Sequence, residues 1–300
     1  CIHKETNTAI IEMAQASGLQ MVPKKLRNPM KTTSYGTGQL ILDAINNEMK
    51  KIILFVGGSA TNDMGVGMLE ALGFKYYNSE NERVSGTVEN LDKIIRIDNT
   101  KISQKLKKIS FIVGCDVSNP LLGPGGATHS YGKQKGADSN QLSKLENYLK
   151  HFSDVAKNYN TTNYTNCEGA GAAGGIGFSA MNFLNAKFEP GFELIAKIID
   201  LKNKIKTNNY DLIITGEGCI DKQSDKGKLI MHLGEIGKEH SISVIAFGGI
   251  VKENLQSLKL PGITMLKQIS PKGCSLTNAI LKAPIYLEHA LKEEVKRYLN

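Results

Sequence analysis

Four polar side chains follow an apolar run in the segment Gly57-Gly58-Ser59-Ala60-Thr61-Asn62-Asp63. The apolar run, residues 52–56, predicts a buried strand, and apolar residues recur at helical spacing over residues 64–72. A glycine-rich turn between a strand and a helix N-terminus presents backbone N–H groups to an anion. We therefore predict that a carboxylate or a phosphate binds here. The predicted substrate-binding residues of this turn are Gly57, Gly58, Ser59, Thr61 and Asn62.

Two aspartates at or just beyond predicted strands are candidates for proton transfer. Asp63 ends the glycine-rich turn, and Asp116 follows the apolar run at residues 110–114. We predict both as catalytic residues, because a carboxylate beside a substrate hydroxyl can accept its proton or position a metal ion. Each could instead cap a helix or brace a turn, and this alternative is favoured for Asp63 by its place at a helix start. Asn119, close to Asp116, is also predicted to bind substrate.

A later segment combines carboxylates with lysines. It reads Gly216-Glu217-Gly218-Cys219-Ile220-Asp221 and comes just after a strand predicted at residues 211–215. Carboxylates can hold Mg²⁺ through its waters and ammonium groups neutralise phosphate oxygens, so this segment suits phosphoryl transfer at the carboxyl end of a strand. The alternative is a charged surface loop that ends in a helix cap. The predicted nucleotide-binding residues are Gly216, Glu217, Gly218, Asp221 and Lys226, the predicted catalytic lysine is Lys228, and the predicted metal ligands are Asp116 and Glu217.

The segment Gly169-Ala170-Gly171-Ala172-Ala173-Gly174 matches the dinucleotide-binding fingerprint literally. That motif needs a strand directly before it, whereas residues 163–167 are polar and not strand-like. Close helix packing or a substrate-facing turn fits these glycines better. The sequence has no Walker phosphate loop either, because Gly227-Lys228 is followed by Leu229. A nucleotide would therefore be bound by a structural motif other than these two.

Composition excludes several classes of protein. The chain has 300 residues with a normal apolar fraction of 41%, and no apolar run approaches the length that crosses a bilayer. The formal net charge is +8, but the lysines are spread among acidic residues, and the densest basic run lacks interleaved aromatic residues. Five scattered cysteines without metal-ligand spacing indicate reduced thiols. We expect a cytoplasmic protein that acts on a small anionic molecule, with no nucleic-acid or membrane partner.

Apolar runs alternate with helical patterns along the chain, which predicts an α/β fold with a parallel sheet of Rossmann type. A long helix is predicted from Leu142 onwards, with Ser139 as its N-cap. The pattern changes near Pro190, where we place a boundary between residues 1–190 and 191–300. The predicted strands lie at residues 8–13, 52–56, 110–114, 211–215, 244–247 and 263–266.

Taken together and in order, these segments resemble the bacterial-type glycerate kinases, the glycerate kinase I family. The resemblance covers nearly the whole chain and is more specific than any single turn. Its matching stretches are residues 12–19, Arg27-Asn28-Pro29, residues 33–38 and 57–63, Cys115-Asp116-Val117 to Leu121, Gln134-Lys135-Gly136-Ala137, and residues 169–177 and 216–228.

The resemblance implies an ATP-dependent kinase of D-glycerate that uses Mg²⁺. It also implies two α/β domains with the active site in the cleft between them. One domain, Rossmann-like, would have a parallel sheet built from both chain ends, and the other would be inserted. Residues 1–190 would then be the inserted, substrate-side domain, and residues 191–300 the C-terminal part of the Rossmann-like domain. Whether the protein is a homodimer is left open.

The sequence departs from the family's pattern at several positions. Met64 stands where a glycine is usual and Ser118 where an aspartate is usual, while Leu229-Ile230-Met231 replaces a proline-containing stretch. An N-terminal family segment with a signature like Asp-Ser-Phe-Lys-Gly does not occur in the sequence. Two rivals to the kinase therefore stay open. One is a non-catalytic sensor of small anions or nucleotides on the same fold, and the other is an NAD-dependent oxidoreductase based on residues 169–174.

Overall fold

The computed structural model describes residues 1–221, 229–252 and 260–299. The chain divides into two compact units, Cys1–Gly191 and Phe192–Asn300, called here the N-terminal and C-terminal units. Both units combine helices with parallel strands, which confirms the predicted mixed α/β class. Which unit is inserted, and which belongs to a sheet built from both chain ends, stays a prediction.

The N-terminal unit contains two sheets and six described α-helices. Its strands are β1 (Ile2–His3), β2 (Thr8–Glu12), β3 (Lys51–Phe55), β4 (Lys75–Tyr77), β5 (Arg83–Val84), β6 (Arg96–Asp98), β7 (Ser110–Gly114) and β8 (Lys187–Glu189). Its α-helices are α1 (Ala14–Ser17), α2 (Tyr35–Asn46), α3 (Val66–Ala71), α4 (Ala127–Tyr131), α5 (Ser139–Ala156) and α6 (Ala172–Leu184). Short 3₁₀ helices lie at Leu19–Met21, Lys24–Leu26, Val88–Asn90, Leu106–Lys108 and Lys133–Lys135.

The larger sheet of this unit has the strand order β1-β2-β3-β7-β8. Strand β1 is antiparallel to β2, and the other neighbours are parallel. Strand β3 is central, and Ile52 and Leu54 pair in register with Phe111 and Val113 of β7. The apolar runs that predicted these strands are buried because both faces of a parallel sheet are covered by other elements. The carboxyl ends of β3 and β7 therefore lie side by side at one edge of the sheet.

Two local features of this unit differ from the prediction. Strands β4, β5 and β6 form a small antiparallel sheet that is not among the strands predicted from the sequence. Helix α5 is capped by Asp138 rather than Ser139. The Asp138 side chain accepts a hydrogen bond from the backbone N–H of Gln141, whose side chain in turn accepts one from the backbone of Asp138. This reciprocal capping box makes Ser139 the first helical residue.

The C-terminal unit has a three-stranded parallel sheet in the order β11-β10-β9. Its elements are α7 (Gly191–Ile198, which starts at the unit boundary), α8 (Leu201–Thr207), β9 (Leu212–Ile220), α9 (Leu229–His240), β10 (Ser243–Val251), β11 (Met265–Gln268), α10 (Leu276–Leu281) and α11 (Ala283–Leu299). Val244 and Ala246 of β10 are fully buried against Ile220 and Ile230. Among the described helices of the chain, none is both long and apolar enough to cross a bilayer.

Candidate active site at the carboxyl edge of the N-terminal sheet

A cavity of about 550 Å³ opens where β3 and β7 end. Parallel strands bring their carboxyl ends to the same edge of a sheet, which is where ligands bind in open α/β sheets. The cavity is therefore the candidate active site of the N-terminal unit. Its walls are formed by Leu19, Phe55, Val56, Gly57, Gly58, Ser59, Gly114, Cys115, Asp116, Val117, Tyr131, Gln134, Lys135, Ala172 and Ala173.

Three residues of the predicted anion-binding turn reach this cavity. Gly57 and Gly58 are exposed one residue beyond the end of β3, and Ser59 is buried beside them. Gly58 has a φ of +71°, a left-handed conformation that favours glycine. Ser59 pairs with Gly18 in an isolated antiparallel bridge, which fixes the turn against the segment after α1. The turn can therefore present the backbone groups of its two glycines and the hydroxyl of Ser59 to a ligand.

Asp116 lies in the wall of the same cavity. It is exposed, and its Oδ1 accepts a hydrogen bond of 2.7 Å from the backbone N–H of Gly191. The sequence predicted Asp116 and the turn at residues 57–59 as site residues, and the pairing of β3 with β7 brings them together. A carboxylate placed here can accept a proton from a hydroxyl of a bound molecule.

Asp63 lies in a different environment. Its side chain is fully buried, and its oxygens accept hydrogen bonds from the Ser34 N–H and hydroxyl, each at 2.7 Å, and from the Gly65 N–H at 3.1 Å. Burial raises the pKa of Asp63, and the hydrogen bonds from Ser34 and Gly65 oppose that rise. Asp63 is not among the residues that line the cavity. This geometry favours the turn-bracing role that the sequence left open as the alternative.

Thr61 and Asn62 are also fully buried, and neither lines the cavity. The amide nitrogen of Asn62 donates to the hydroxyl of Thr128 at 3.1 Å. The turn does not run straight into a helix as predicted, because α3 begins at Val66 after Gly65 in the left-handed region. Asn62 therefore links the turn to Thr128, and substrate binding by Thr61 and Asn62 stays a prediction.

Asn119 braces the loop after β7. Its amide nitrogen donates to the Gly125 carbonyl at 2.7 Å and to the Ser130 hydroxyl at 3.2 Å, and its Oδ1 accepts from the Tyr131 hydroxyl at 2.5 Å. It does not line the cavity. Asn119 therefore positions Tyr131, which does line it.

Lys135 is a residue of the cavity wall that the chemistry of the sequence did not single out. It lies on the 3₁₀ helix Lys133–Lys135, and only 2% of its surface is exposed. Its Nζ donates a hydrogen bond of 2.6 Å to the carbonyl of Thr61. Burial lowers the pKa of Lys135 to about 7, against a smaller opposite effect of Asp63. The sequence contained a signal only in the stretch Gln134–Ala137 of the family resemblance.

The glycine-rich segment that begins α6 packs against the turn instead of following a strand. No strand occurs between residues 157 and 171, all of which are described. Ala173, Gly174 and Gly175 have φ values of +53°, +70° and +93°. A Cβ at Gly174 would lie 2.2 Å from the carbonyl oxygen of Thr61. The glycines therefore pack closely against the turn, while Ala172 and Ala173 also line the cavity, so both alternatives that the sequence left open stay compatible with the structure. The fingerprint of a dinucleotide site lacks its strand.

The predicted nucleotide-binding segment lies in the C-terminal unit, and its local structure corrects the prediction. Residues Gly216, Glu217 and Gly218 do not follow a strand but lie within β9, where Gly216 pairs with Phe247 and Glu217 with Gly248 of β10. Of the predicted residues, Asp221 follows the strand, and its carboxylate lies 3.8 Å from Nζ of Lys252. Lys226 and Lys228 lie outside the described residues.

The two predicted metal ligands lie in different units, Asp116 in the N-terminal and Glu217 in the C-terminal unit. Among the residues that the structure describes, no group of three or more His, Cys, Asp or Glu side chains could hold a metal ion. A structural metal site is therefore not found there. An ion held by one or two carboxylates and a phosphate ligand is compatible with this finding.

A family model described as the glycerate kinase family matches residues 1–300. The chain belongs to the glycerate kinase family. It is 40% identical to a glycerate kinase of Bacillus cereus over 96% of this chain and 75% of the relative. It is 38% identical to a glycerate kinase of Halalkalibacterium halodurans, over 95% of this chain and 74% of the relative.

A glycerate 2-kinase of Escherichia coli is 38% identical over 87% of this chain and 68% of its own length. The fold is similar to that of a crystal structure from Salmonella typhimurium LT2, provisionally described as glycerate kinase 2. The TM-score is 0.75 at 31% identity, over 98% of this chain and 78% of the other. These similarities confirm the family that the sequence motifs indicated.

Proposed function

We propose that this protein phosphorylates D-glycerate with ATP as the phosphoryl donor. The observation that carries the proposal is the match to the glycerate kinase family over residues 1–300. The relatives from Bacillus cereus and Halalkalibacterium halodurans are named glycerate kinases and align with nearly all of this chain. The cavity at the carboxyl edge of the N-terminal sheet supports the proposal, because it combines a glycine turn with a carboxylate.

In this proposal glycerate binds in the N-terminal unit. The turn at Gly57, Gly58 and Ser59 orients it, and Asp116 accepts the proton of the hydroxyl that attacks the phosphoryl group. In phosphoryl transfer the protein itself carries out little covalent chemistry, so it catalyses the reaction mostly by positioning the substrates and neutralising charge. Asp63 is left out of this mechanism because its oxygens hold Ser34 and Gly65.

We further propose that ATP binds with Mg²⁺ and that the nucleotide contacts the C-terminal unit. Mg²⁺ usually binds through one or two carboxylates and the phosphates of its substrate, and it neutralises charge on the phosphate oxygens. For Asp116, which is exposed in the cavity wall, metal binding is the alternative to accepting the proton, and Glu217 is the other predicted ligand. Gly216, Gly218, Asp221, Lys226 and Lys228 remain the predicted nucleotide-binding and phosphate-binding residues.

The test is release of ADP by the purified chain with ATP, Mg²⁺ and D-glycerate, compared with a version extended to the length of the relatives. We expect ADP and phosphoglycerate in equal amounts, and ³¹P NMR of the product identifies the phosphorylated hydroxyl. Turnover by the longer version alone would place essential groups in the added segment. Folded protein that binds ATP and glycerate but forms no ADP would overturn the proposal and favour the non-catalytic sensor.

A further inference from the structure

Lys135 carries a buried amino group whose protonated form is poorly matched by its surroundings. Among the described residues its Nζ has one hydrogen-bond acceptor, the Thr61 carbonyl. An ammonium group has three donors, and burying it costs free energy unless an anion and further acceptors compensate. Asp63 attracts it through space, but the oxygens of Asp63 already accept from Ser34 and Gly65.

The rest of the cavity wall indicates which anion would complete this arrangement. Among the described residues that line it, Lys135 is the one cation and Asp116 the one carboxylate. The other polar side chains are the hydroxyls of Ser59 and Tyr131, the amide of Gln134 and the thiol of Cys115. A phosphate group is generally held by several cations or N–H donors, whereas one ammonium group matches one carboxylate. Hydroxyl and amide groups beside it suit the hydroxyls of a small hydroxy acid.

We propose that Lys135 binds the carboxylate of the substrate in this cavity and takes up a proton from solvent when the substrate binds. This inference rests on the proposed function, because it assigns the carboxylate end of glycerate to one side chain. The carboxylate of glycerate would then lie against the 3₁₀ helix Lys133–Lys135, and its hydroxyls would lie on the side of Asp116.

The pKa of Lys135 determines in which direction the affinity for glycerate changes with pH. Its pKa in the free protein is about 7, because of burial, so the side chain is mostly neutral at pH 8. A bound carboxylate favours the charged form and raises this pKa, so binding at pH 8 draws in a proton. The KM for glycerate therefore rises with pH above 7, by up to about tenfold per pH unit.

The titratable groups around Lys135 come from each neighbouring segment. They are Asp63 in the turn, Cys115 and Asp116 after β7, Tyr131 on α4, and Arg27, whose backbone packs against Gly136. Burial raises the pKa of both Cys115 and Tyr131, so these two groups stay neutral near pH 7. A proton taken up on binding between pH 7 and 8 is therefore not assigned to Cys115 or Tyr131, and its loss in a Lys135→Met variant would assign it to Lys135.

The experiment is isothermal titration calorimetry of D-glycerate at pH 8 in buffers of different ionisation enthalpy, which counts the protons taken up. We expect about one proton per bound glycerate in the wild-type protein. Lys135→Met should take up none and bind about 10- to 100-fold more weakly. Lys133→Met removes an exposed lysine from the same 3₁₀ helix and should behave like the wild type.

Binding by the wild-type protein without proton uptake would overturn the inference, and this readout needs no variant to fold. Unchanged affinity of a folded Lys135→Met protein would overturn it as well. The inference and the proposed function fail separately. Binding with proton uptake but without ADP release would support the role of Lys135 and contradict the kinase activity. Turnover without proton uptake would support the kinase activity and contradict the role of Lys135. Absence of any binding, both by this chain and by the version extended to the length of the relatives, would reject both.

Discussion

The carboxylate of Asp116 is exposed in the cavity wall and accepts one backbone hydrogen bond, from Gly191. Asp116→Asn keeps an oxygen for that bond but removes the proton acceptor proposed for the reaction. We expect kcat to fall by about 10²- to 10⁴-fold with an unchanged melting temperature. Steady-state kinetics and thermal unfolding measure the two effects. Asp154→Asn, at an exposed residue paired with Lys157, is the matched control, and near-normal kcat in Asp116→Asn would remove Asp116 from the mechanism.

Asp63 should respond to the same substitution in the opposite way. Both of its oxygens accept hydrogen bonds, from Ser34 and from Gly65, so the amide group of an asparagine would face a donor at one side. We expect Asp63→Asn to lower the free energy of unfolding by about 1–3 kcal/mol, measured by urea denaturation. Any loss of kcat should follow from the loss of folded protein. A variant of normal stability with abolished turnover would restore Asp63 to the catalytic role that the sequence suggested.

The sequence located part of the candidate site for a clear physical reason. Gly57, Gly58 and Asp116 stand directly after apolar runs, and the ends of parallel strands meet at one edge of the sheet. Lys135 could not be found in this way, because nothing in its neighbouring residues shows that its side chain is buried. Its environment depends on Thr61, which is 74 residues earlier in the chain.

Helix α5 illustrates how a cap determines where an element starts. Asp138 and Gln141 form the capping box, whereas Ser139 is the first helical residue. Asp138→Ala should lower the free energy of unfolding by about 1 kcal/mol, because a backbone N–H of the first turn loses its acceptor. Ser139→Ala is the matched control and should have little effect. Equal losses in both variants, measured by chemical denaturation, would contradict the assignment of the cap.

The elements could be predicted where the apolar pattern was unbroken, as in β3 and β7. Prediction was wrong at residues 216–220, where glycines suggested a loop but β9 continues to Ile220. In this sheet the glycines allow close approach of strands, because a Cβ at Gly249 of β10 would lie 2.5 Å from the carbonyl oxygen of Gly218. The small sheet of β4, β5 and β6 was also missed, because strands of two or three residues carry too little pattern.

At the scale of the whole molecule, each unit has buried clusters of its own. The core of the N-terminal unit includes residues of β3, β7 and α6, and the C-terminal unit has separate clusters around β10. A unit with its own core can open by local unfolding without the other, and a ligand stabilises the unit that it contacts. Binding of glycerate and binding of ATP should therefore each suppress local unfolding in a different unit.

Hydrogen exchange measured by mass spectrometry can show which segments each substrate protects. We expect D-glycerate alone to slow amide exchange in peptides that contain residues 57–59, 114–117 and 134–135, because these residues line the cavity. MgATP should slow exchange in peptides around Asp221, at the end of β9, where the nucleotide is proposed to bind. Peptides from the sheet of β4, β5 and β6 serve as an internal control, because their residues do not line the cavity. Protection by glycerate confined to the C-terminal unit would show that the cavity is not the glycerate site, whatever the activity of the protein.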